Sequence, residues 1–246
     1  MPLPMDFNTM YHDKHVFFDL DRTLWDFEIN SQKALQILYK ETKLLLRIPS
    51  FEKFHRSYLN HNKLLWQKYS LGKLGKEELR YERFRATLRH FEIVDENLTR
   101  QLGDGYVDLS PQQTALIPRA QEVLQDLGDM GFKMHIITNG FKEVQHVKLK
   151  YSNLHHHFDV VLCSEEVGFN KPHPTIFLHA LKLANASPEN SLMVGDDYRA
   201  DILGSIRAGM QAVWYQRDVS NKSIKGVSIP LANSPVKNTS SISSSL

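Results

Sequence analysis

The sequence has little cysteine, little net charge and no long apolar run, and each of these absences excludes a class of protein. The single cysteine, Cys163, excludes an intramolecular disulfide and is typical of a reducing compartment. With 30 basic and 28 acidic residues, the formal net charge is +2, which argues against a general binder of nucleic acid or of membrane surfaces. No run approaches the roughly 20 apolar residues of a membrane span, and residues 1–14 show no secretory signal pattern. We therefore expect a soluble cytoplasmic protein that binds neither nucleic acid nor membrane.

Short apolar runs are typical of buried β-strands, because each is too short to form a buried helix. The runs are 16–18, 135–137, 160–162, 192–194 and 212–214. Helical patterns separate the later runs, and one of them places Ala120, Leu124 and Leu127 on a single apolar stripe. Strands that alternate with helices indicate βαβ units. The sequence therefore predicts an α/β fold with a doubly wound, Rossmann-like parallel sheet.

Residues 26–109 interrupt this alternation, because they hold one proline and no clear strand. Residues at helical spacing predict amphipathic helices in this stretch. They are Leu35, Leu38, Thr42 and Leu45 in the first helix, Phe54, Tyr58, His61 and Leu65 in the second, and Leu79, Phe84 and Leu88 in the third. We expect an all-helical cap domain at 26–109, inserted into a core formed by 11–25 and 110–219.

The C-terminal stretch, 220–246, is rich in serine and contains no acidic residue. Such a composition predicts a low-complexity, poorly ordered tail. A short edge strand through Ile224, Val227, Ile229 and Leu231 is the alternative for part of it. The sequence contains no apparent internal repeat, and no feature of it predicts an oligomeric state.

Polar residues follow four of the apolar runs, at the strand ends where ligands bind in a doubly wound sheet. They are Asp19 and Asp21, then Thr138, Asn139 and Gly140, then Lys171, and last Asp196, Asp197 and Asp201. Carboxylates brought to one point repel each other unless a cation joins them, and Mg²⁺ suits oxygen ligands beside a phosphate. A lysine, a hydroxyl and backbone N–H groups can donate to the remaining phosphate oxygens. The pattern predicts a site for Mg²⁺ and phosphate.

These residues resemble the four signatures of the haloacid dehalogenase-like hydrolases. The segment from Asp19 to Thr23 is similar to the first signature, Asp-x-Asp-x-Thr, while Thr138, Lys171 and residues 195–201 match the second, third and fourth in order. The match covers 14 to about 216, and the insertion lies where members with a helical, C1-type cap carry theirs. Residues 21–26 and 164–172 also resemble the pyrimidine 5′-nucleotidase branch. Arg22 stands where glycine is commoner, and this departure removes no catalytic group.

The resemblance implies a Mg²⁺-dependent phosphatase that works through an aspartyl-phosphate. Asp19 would be the nucleophile, and Asp21 would protonate the leaving oxygen and then activate water. The side chains of Asp19 and Asp196 and the backbone carbonyl of Asp21 would hold the metal. Asp197 and Asp201 would orient its water ligands and the lysine, and a direct contact between Asp201 and the metal is left open.

The resemblance also implies how the phosphate is bound. Thr138, with Asn139 and Gly140 beside it, would hold the transferring phosphoryl group, while Lys171 would balance its charge and act in catalysis. The substrate would be a small phosphorylated metabolite, and the nucleotidase branch implies a nucleoside monophosphate.

Other functions remain open beside this one. A sugar phosphatase fits the same residues, and a phosphomutase shares the aspartate pair. A haloacid dehalogenase uses a single nucleophilic aspartate without metal, so Asp21 argues against it. A phosphonate hydrolase would need a lysine in the cap. The non-enzymatic alternative is a phospho-aspartate receiver module, which is about half as long and lacks a helical insertion.

Four further features have ordinary structural interpretations. His155, His156 and His157 are adjacent in sequence, and not at the spacing of helical metal ligands, so a solvated loop is favoured. We expect Cys163 to be a small apolar residue of a strand. Trp25 and Phe27 lie where the chain leaves the core, so we expect packing at the hinge, with a contact to substrate as the alternative.

Overall fold

The computed structural model describes residues 14–217 and the backbone of 224–229. The strands are β1 His15–Phe18, β2 Lys133–Thr138, β3 Val160–Cys163, β4 Ser191–Gly195, β5 Gln211–Arg217 and β6 Ile224–Ile229. The helices are α1 Phe27–Glu41, α2 Phe51–Ser70, α3 Lys76–Arg89, α4 Glu96–Leu109, α5 Ala120–Asp129, α6 Lys142–Tyr151, α7 Pro174–Ala184 and α8 Gly204–Arg207. The predictions for 11–13, for the rest of the tail and for Leu231 lie outside the described residues.

The six strands form one sheet in the order β3-β2-β1-β4-β5-β6. The first five are parallel, and β6 pairs with β5 in the antiparallel direction. In the centre, Phe18 lies between Ile136 on β2 and Val194 on β4. The predicted doubly wound α/β fold is confirmed, and all five predicted runs are strands. Because the parallel strands end at one edge, the loops that follow them lie together.

Side chains of β1 alternate between the two faces of the sheet, and each face has its own buried core. Val16 and Phe18 pack with Leu124 of α5 on one face. On the other face, Phe17 packs with residues of α7 such as Phe177. Each such side chain contributes about 1.5–3 kcal/mol when it leaves water. Helices on both faces therefore fix the central strand and the loop that follows it.

The insertion between β1 and β2 is helical, as predicted, and α1–α4 share a core of their own. Leu38, Phe54, Phe84 and Leu102 are buried in this core, one from each helix. By contrast, α5 packs against the sheet. Helices α1, α2 and α4 begin at side-chain caps, since Asp26, Ser50 and Asp95 accept backbone N–H groups. The cap boundaries at 26 and 109 stay a prediction.

The first helix of the cap is shorter than its apolar pattern. α1 ends at Glu41, and Lys43 has a φ of 53°, in the left-handed region that a right-handed helix cannot continue through. A 3-10 turn, Leu44–Leu46, follows. The prediction that Thr42 and Leu45 belong to this helix is therefore wrong. The second and third predicted helices are α2 and α3, and α4 was not predicted individually.

The junction between cap and sheet is tightly bonded. Trp25 is fully buried, and its indole Nε1 donates to the carbonyl of Gln113 at 2.9 Å. The amide of Asn30 both donates to and accepts from the backbone of Ala115, at 2.8 and 2.9 Å. Trp25 thus packs at the hinge, as predicted. Within the ranges that the structure describes, no helix is long and apolar enough to cross a membrane.

Candidate active site

The loop after β1 carries the first two acidic residues. Asp19 is 8% exposed, and its backbone is held to β4 by a hydrogen bond to the carbonyl of Val194. Arg22 has a φ of 69°, in the left-handed region that glycine adopts most easily. Its guanidinium pairs with Glu28 at 2.7 Å and lies 4.3 Å from the ring centroid of Phe27. These contacts hold the Arg22 side chain over Phe27 at the mouth of the turn.

Three carboxylates from two loops meet at the sheet edge. Oxygens of Asp19, Asp196 and Asp201 all lie within 4.8 Å of one another. A side chain at Gly195 would collide with the carboxylate of Asp201, so the close approach requires glycine there. Asp197 is not in this group, because its Oδ1 accepts the N–H groups of the following π-helical turn, Tyr198–Leu203. Asp197 therefore caps this turn.

The electrostatics of this group favour a bound cation. Burial raises the pKa of Asp19 well above its usual value, with Lys171 opposing the shift and the neighbouring carboxylates adding to it. Burial and the charge of Asp201 raise the pKa of Asp196 to about 7, and burial also raises that of Asp201. A hard divalent ion with oxygen ligands relieves this repulsion. The donor set therefore fits Mg²⁺.

Lys171 joins two of these carboxylates. Its Nζ lies 2.6 Å from Asp19, 2.7 Å from Asp201 and 2.7 Å from the carbonyl of Ile137. Burial alone lowers the pKa of Lys171, but the two carboxylates raise it above its ordinary value. The side chain of Asn139 holds the Lys171 backbone, accepting its N–H at 2.8 Å and donating to its carbonyl at 3.1 Å. The side chain of Asn139 thus positions the Lys171 loop, and its backbone N–H is the group that follows β2 directly.

The loop after β2 is tied to Asp21 by two residues that the sequence analysis missed, Gln145 and Lys148. Thr138 Oγ1 accepts from the backbone of Gly140 at 3.1 Å and from Gln145 Nε2 at 2.8 Å. The same Nε2 donates to Asp21 Oδ2 at 2.8 Å, and Lys148 Nζ lies 2.5 Å from Asp21 Oδ1. The available signal was two polar residues three apart on the helix that begins just after the glycine.

These partners set the charge of Asp21. Burial alone raises the pKa of Asp21, but the charge of Lys148 and the hydrogen bonds from Lys148 and Gln145 outweigh it and lower the pKa. Lys148 is itself buried, 4.3 Å from the ring centroid of Trp25. Asp21 is therefore held as an oriented carboxylate in this arrangement.

A cavity of about 730 Å³ lies between these loops and the helices of the cap. The acidic residues, Thr138, Gly140 and Lys171 line it from the sheet side. Asn62, Trp66, Arg83 and Tyr106 are among the residues that line it from the cap side, and Phe27 also lines it. This volume is in the range of small-molecule sites. The arrangement can bind a small phosphate ester with its phosphate beside the carboxylates.

The remaining predicted features lie away from this chemistry. His155–His157 form a surface 3-10 turn, outside the group that could hold a metal in the described ranges. Cys163 is buried at the end of β3, and burial raises the pKa of its thiol to about 12. Both have the ordinary structural roles that were expected.

Comparison with known proteins identifies the class that this fold and site belong to. The haloacid dehalogenase-like hydrolase family matches residues 14–209, so the chain belongs to this family of hydrolases.

Two curated relatives and one solved structure are similar over most of the chain. The pyrimidine 5′-nucleotidase YjjG of Escherichia coli is 32% identical over 81% of this chain and 84% of its own length. PynA of Streptococcus pneumoniae, also a pyrimidine 5′-nucleotidase, is 32% identical over 82% of this chain and 83% of its own length. The Bacillus subtilis protein YfnB, whose structure with bound magnesium reveals interdomain movement, is 28% identical, with a TM-score of 0.76 over 85% of this chain and 91% of that one.

Proposed function

We propose that the protein is a magnesium-dependent phosphatase whose substrates are nucleoside 5′-monophosphates, those of pyrimidines above all. The observation that carries the reaction class is the buried carboxylate group joined by Lys171, whose Nζ lies 2.6 Å from Asp19. The nucleotide preference is supported by the similarity to YjjG and PynA. The cavity is large enough for a small phosphorylated metabolite of this class.

The metal would be held by the carboxylates of Asp19, Asp196 and Asp201 and the backbone carbonyl of Asp21. When bound there, magnesium supplies positive charge against the phosphoryl oxygens. Asp19 attacks phosphorus with one carboxylate oxygen while the bond from phosphorus to the ester oxygen breaks, which leaves an aspartyl-phosphate. Lys171 balances the negative charge of Asp19 and of the phosphoryl group.

Proton transfer is the role of Asp21. Asp21 is a carboxylate without substrate, and the negative charge of a bound phosphate beside it favours its protonated form. That form gives its proton to the leaving ester oxygen, and the resulting carboxylate takes a proton from the water that attacks the aspartyl-phosphate. That attack releases inorganic phosphate and restores Asp19. Lys148 and Gln145 hold the Asp21 carboxylate in place. The hydroxyl of Thr138 and the backbone N–H of Asn139 bind the phosphoryl oxygens, while the backbone N–H of Gly140 orients Thr138 Oγ1.

The alternatives use the same residues differently. A sugar phosphatase follows the same steps on another ester, and a phosphomutase returns the phosphoryl group to its substrate. A dehalogenase needs no acid for the leaving halide, so an Asp21 bonded to Lys148 and Gln145 has no role in that reaction. A receiver module keeps the phosphoryl group and has no use for a cavity between two lobes.

The test is the release of phosphate from nucleoside monophosphates and sugar phosphates, with a 2-haloacid in the same panel. Each compound is assayed with Mg²⁺ and with EDTA. We expect metal-dependent release that is fastest from pyrimidine nucleotides, and at least a roughly 10³-fold loss in Asp19→Asn. The matched control is Asp108→Asn, an exposed aspartate on α4. Release that survives EDTA or Asp19→Asn contradicts the mechanism, and faster release from sugar phosphates contradicts the nucleotide preference.

A further inference from the structure

Arg83 on α3 is a buried cation with no carboxylate partner. Its side chain is 6% exposed, and no ion pair joins it to any residue in the part of the chain that the structure describes. Its Nε donates to the backbone carbonyl of Arg80 at 3.3 Å, and its guanidinium lies 4.7 Å from the ring centroid of Tyr106. By comparison, Arg80 and Arg85 on the same helix each pair with a carboxylate.

A buried guanidinium without a carboxylate partner is unusual, because buried charges are normally paired. The Tyr58 hydroxyl and the carbonyl of Arg80 are neutral partners that leave the charge of Arg83 unbalanced. Arg83 lines the cavity from the cap, while Asp19 and Lys171 line it from the sheet edge. A substrate whose phosphate lies beside Asp19 therefore extends into the cavity that Arg83 also lines. The further acceptor for the Arg83 guanidinium can come from the substrate.

The surroundings of Arg83 suit a planar ring with adjacent donors and acceptors. Tyr106 and the stacked pair Trp66 and Phe141, with ring centroids 5.4 Å apart, line the same cavity. Aromatic side chains stack well on nucleobases. Asn62 also lines it, and its buried Oδ1 has no hydrogen-bond partner within the described residues. A carboxylate or a second phosphate would satisfy Arg83 but would offer no donor to Asn62.

We propose that Arg83 determines substrate specificity by donating hydrogen bonds to a carbonyl oxygen of a pyrimidine base. The proposal rests on the proposed nucleotidase function and adds the residue that reads the base. Both uracil and cytosine carry a carbonyl at C2 with a ring nitrogen beside it. Adenine carries no carbonyl, and ribose 5-phosphate carries no base, so neither substrate can use this contact.

The test compares the wild type with Arg83→Met on uridine 5′-monophosphate, adenosine 5′-monophosphate and ribose 5-phosphate. We expect kcat/KM for the uridine nucleotide to fall about 10- to 100-fold, mainly through a higher KM, as for the loss of a charged hydrogen bond. The values of kcat/KM for the other two substrates should change by less than about threefold. Their unchanged rates also establish that the variant is folded. Arg83→Lys, which keeps a charged donor, should recover part of the lost activity.

The matched control is Arg100→Met, since Arg100 on α4 pairs with Glu96 and does not line the cavity. This variant should have the same kcat/KM as the wild type on all three substrates. An equal loss on ribose 5-phosphate would overturn the proposal, because Arg83 would then act on the phosphate or on the fold. A preference for substrates with a second anionic group, lost in Arg83→Met, would overturn it too. A wild type that is inactive on every nucleotide but hydrolyses ribose 5-phosphate refutes the nucleotidase function itself, which is a separate result.

Discussion

Two neighbouring side chains fix the orientation of the Asp21 carboxylate, which is the proton donor and acceptor of the proposed mechanism. Lys148 Nζ lies 2.5 Å from one of its oxygens and Gln145 Nε2 lies 2.8 Å from the other. Two fixed partners leave the carboxylate little freedom to rotate, so a proton on it is aimed at one point in the cavity. In the proposed mechanism Lys148 takes no direct part in bond making and positions Asp21.

Replacing Lys148 should therefore harm proton transfer more than binding. We expect Lys148→Met to lower kcat for a nucleotide about 10- to 100-fold with a smaller change in KM. The loss should be smaller for p-nitrophenyl phosphate, because its leaving group needs no proton. Steady-state kinetics on both substrates measure this difference. Lys150→Met, at an exposed position on the same helix, is the control. An equal loss on both substrates would indicate a general structural role for Lys148.

At the residue scale, the sequence predicts positions along the chain better than side-chain directions. Asp19, Thr138 and Asp196 could be placed because each follows a strand, and parallel strands end at one edge. Lys148 could not, because its contact with Asp21 depends on the rotation of α6 about its axis. Asn139 was expected at the phosphate, but its side chain bonds the backbone of the Lys171 loop, a contact set by tertiary structure.

The element that organises the site is the loop between β2 and α6. Gly140 allows this loop to pass against Gln145, since a side chain at this position would lie within 1.7 Å of Nε2. Gln145 is fully buried and cannot move away into solvent. The start of α6 therefore aligns Thr138, Gln145 and Asp21 only when position 140 is glycine.

Gly140→Ala should accordingly displace Gln145 and lower activity by about tenfold or more. If the clash is the cause, Gly140→Ala should lower kcat/KM much less in the Gln145→Ala variant than in the wild type. A double-mutant cycle on kcat/KM measures this coupling. Gly128→Ala on α5, where the added methyl has ordinary van der Waals room, is the control and should leave activity unchanged. Additive losses would exclude the clash.

At the element scale, the apolar patterns predict elements well where burial is strong. All five buried runs are strands, because a short run enriched in β-branched and aromatic residues has few other ways to be buried. The end of α1 was misplaced, since the left-handed conformation of Lys43 has no glycine to signal it. For residues 224–229, the edge-strand alternative describes the structure, in which β6 pairs with β5.

At the scale of the whole molecule, cap and sheet meet at contacts beside the cavity. Lys76 at the start of α3 lies 2.7 Å from Glu143 and 3.0 Å from Glu165, and its Nζ is 4.6 Å from the ring centroid of Phe141. Exposed ion pairs of this kind each contribute little, about 0–1 kcal/mol. The sequence predicts a helical insertion but not these partners, because they are far apart along the chain.

Stability should depend on pH through the histidine in the centre of the sheet. His135 on β2 is 1% exposed, with its Nε2 2.9 Å from Nδ1 of His15. Burial, with the charges of His15 and Lys133 adding to it, lowers the pKa of His135 from 6.5 to about 4. Between these two pH values the unfolded chain binds more protons than the folded one, so the free energy of unfolding must fall as the pH falls.

We expect this one group to reduce the free energy of unfolding by on the order of 1–3 kcal/mol between pH 7 and pH 4. Urea unfolding across this range measures the slope, and His135→Leu should flatten it even if the variant is less stable at pH 7. The difference between the two slopes isolates the histidine from carboxylates that titrate in the same range. His179→Leu, at an exposed position on α7, controls for the loss of a histidine. If the His135→Leu slope equals that of the wild type, protonation of this buried imidazole does not limit stability in acid.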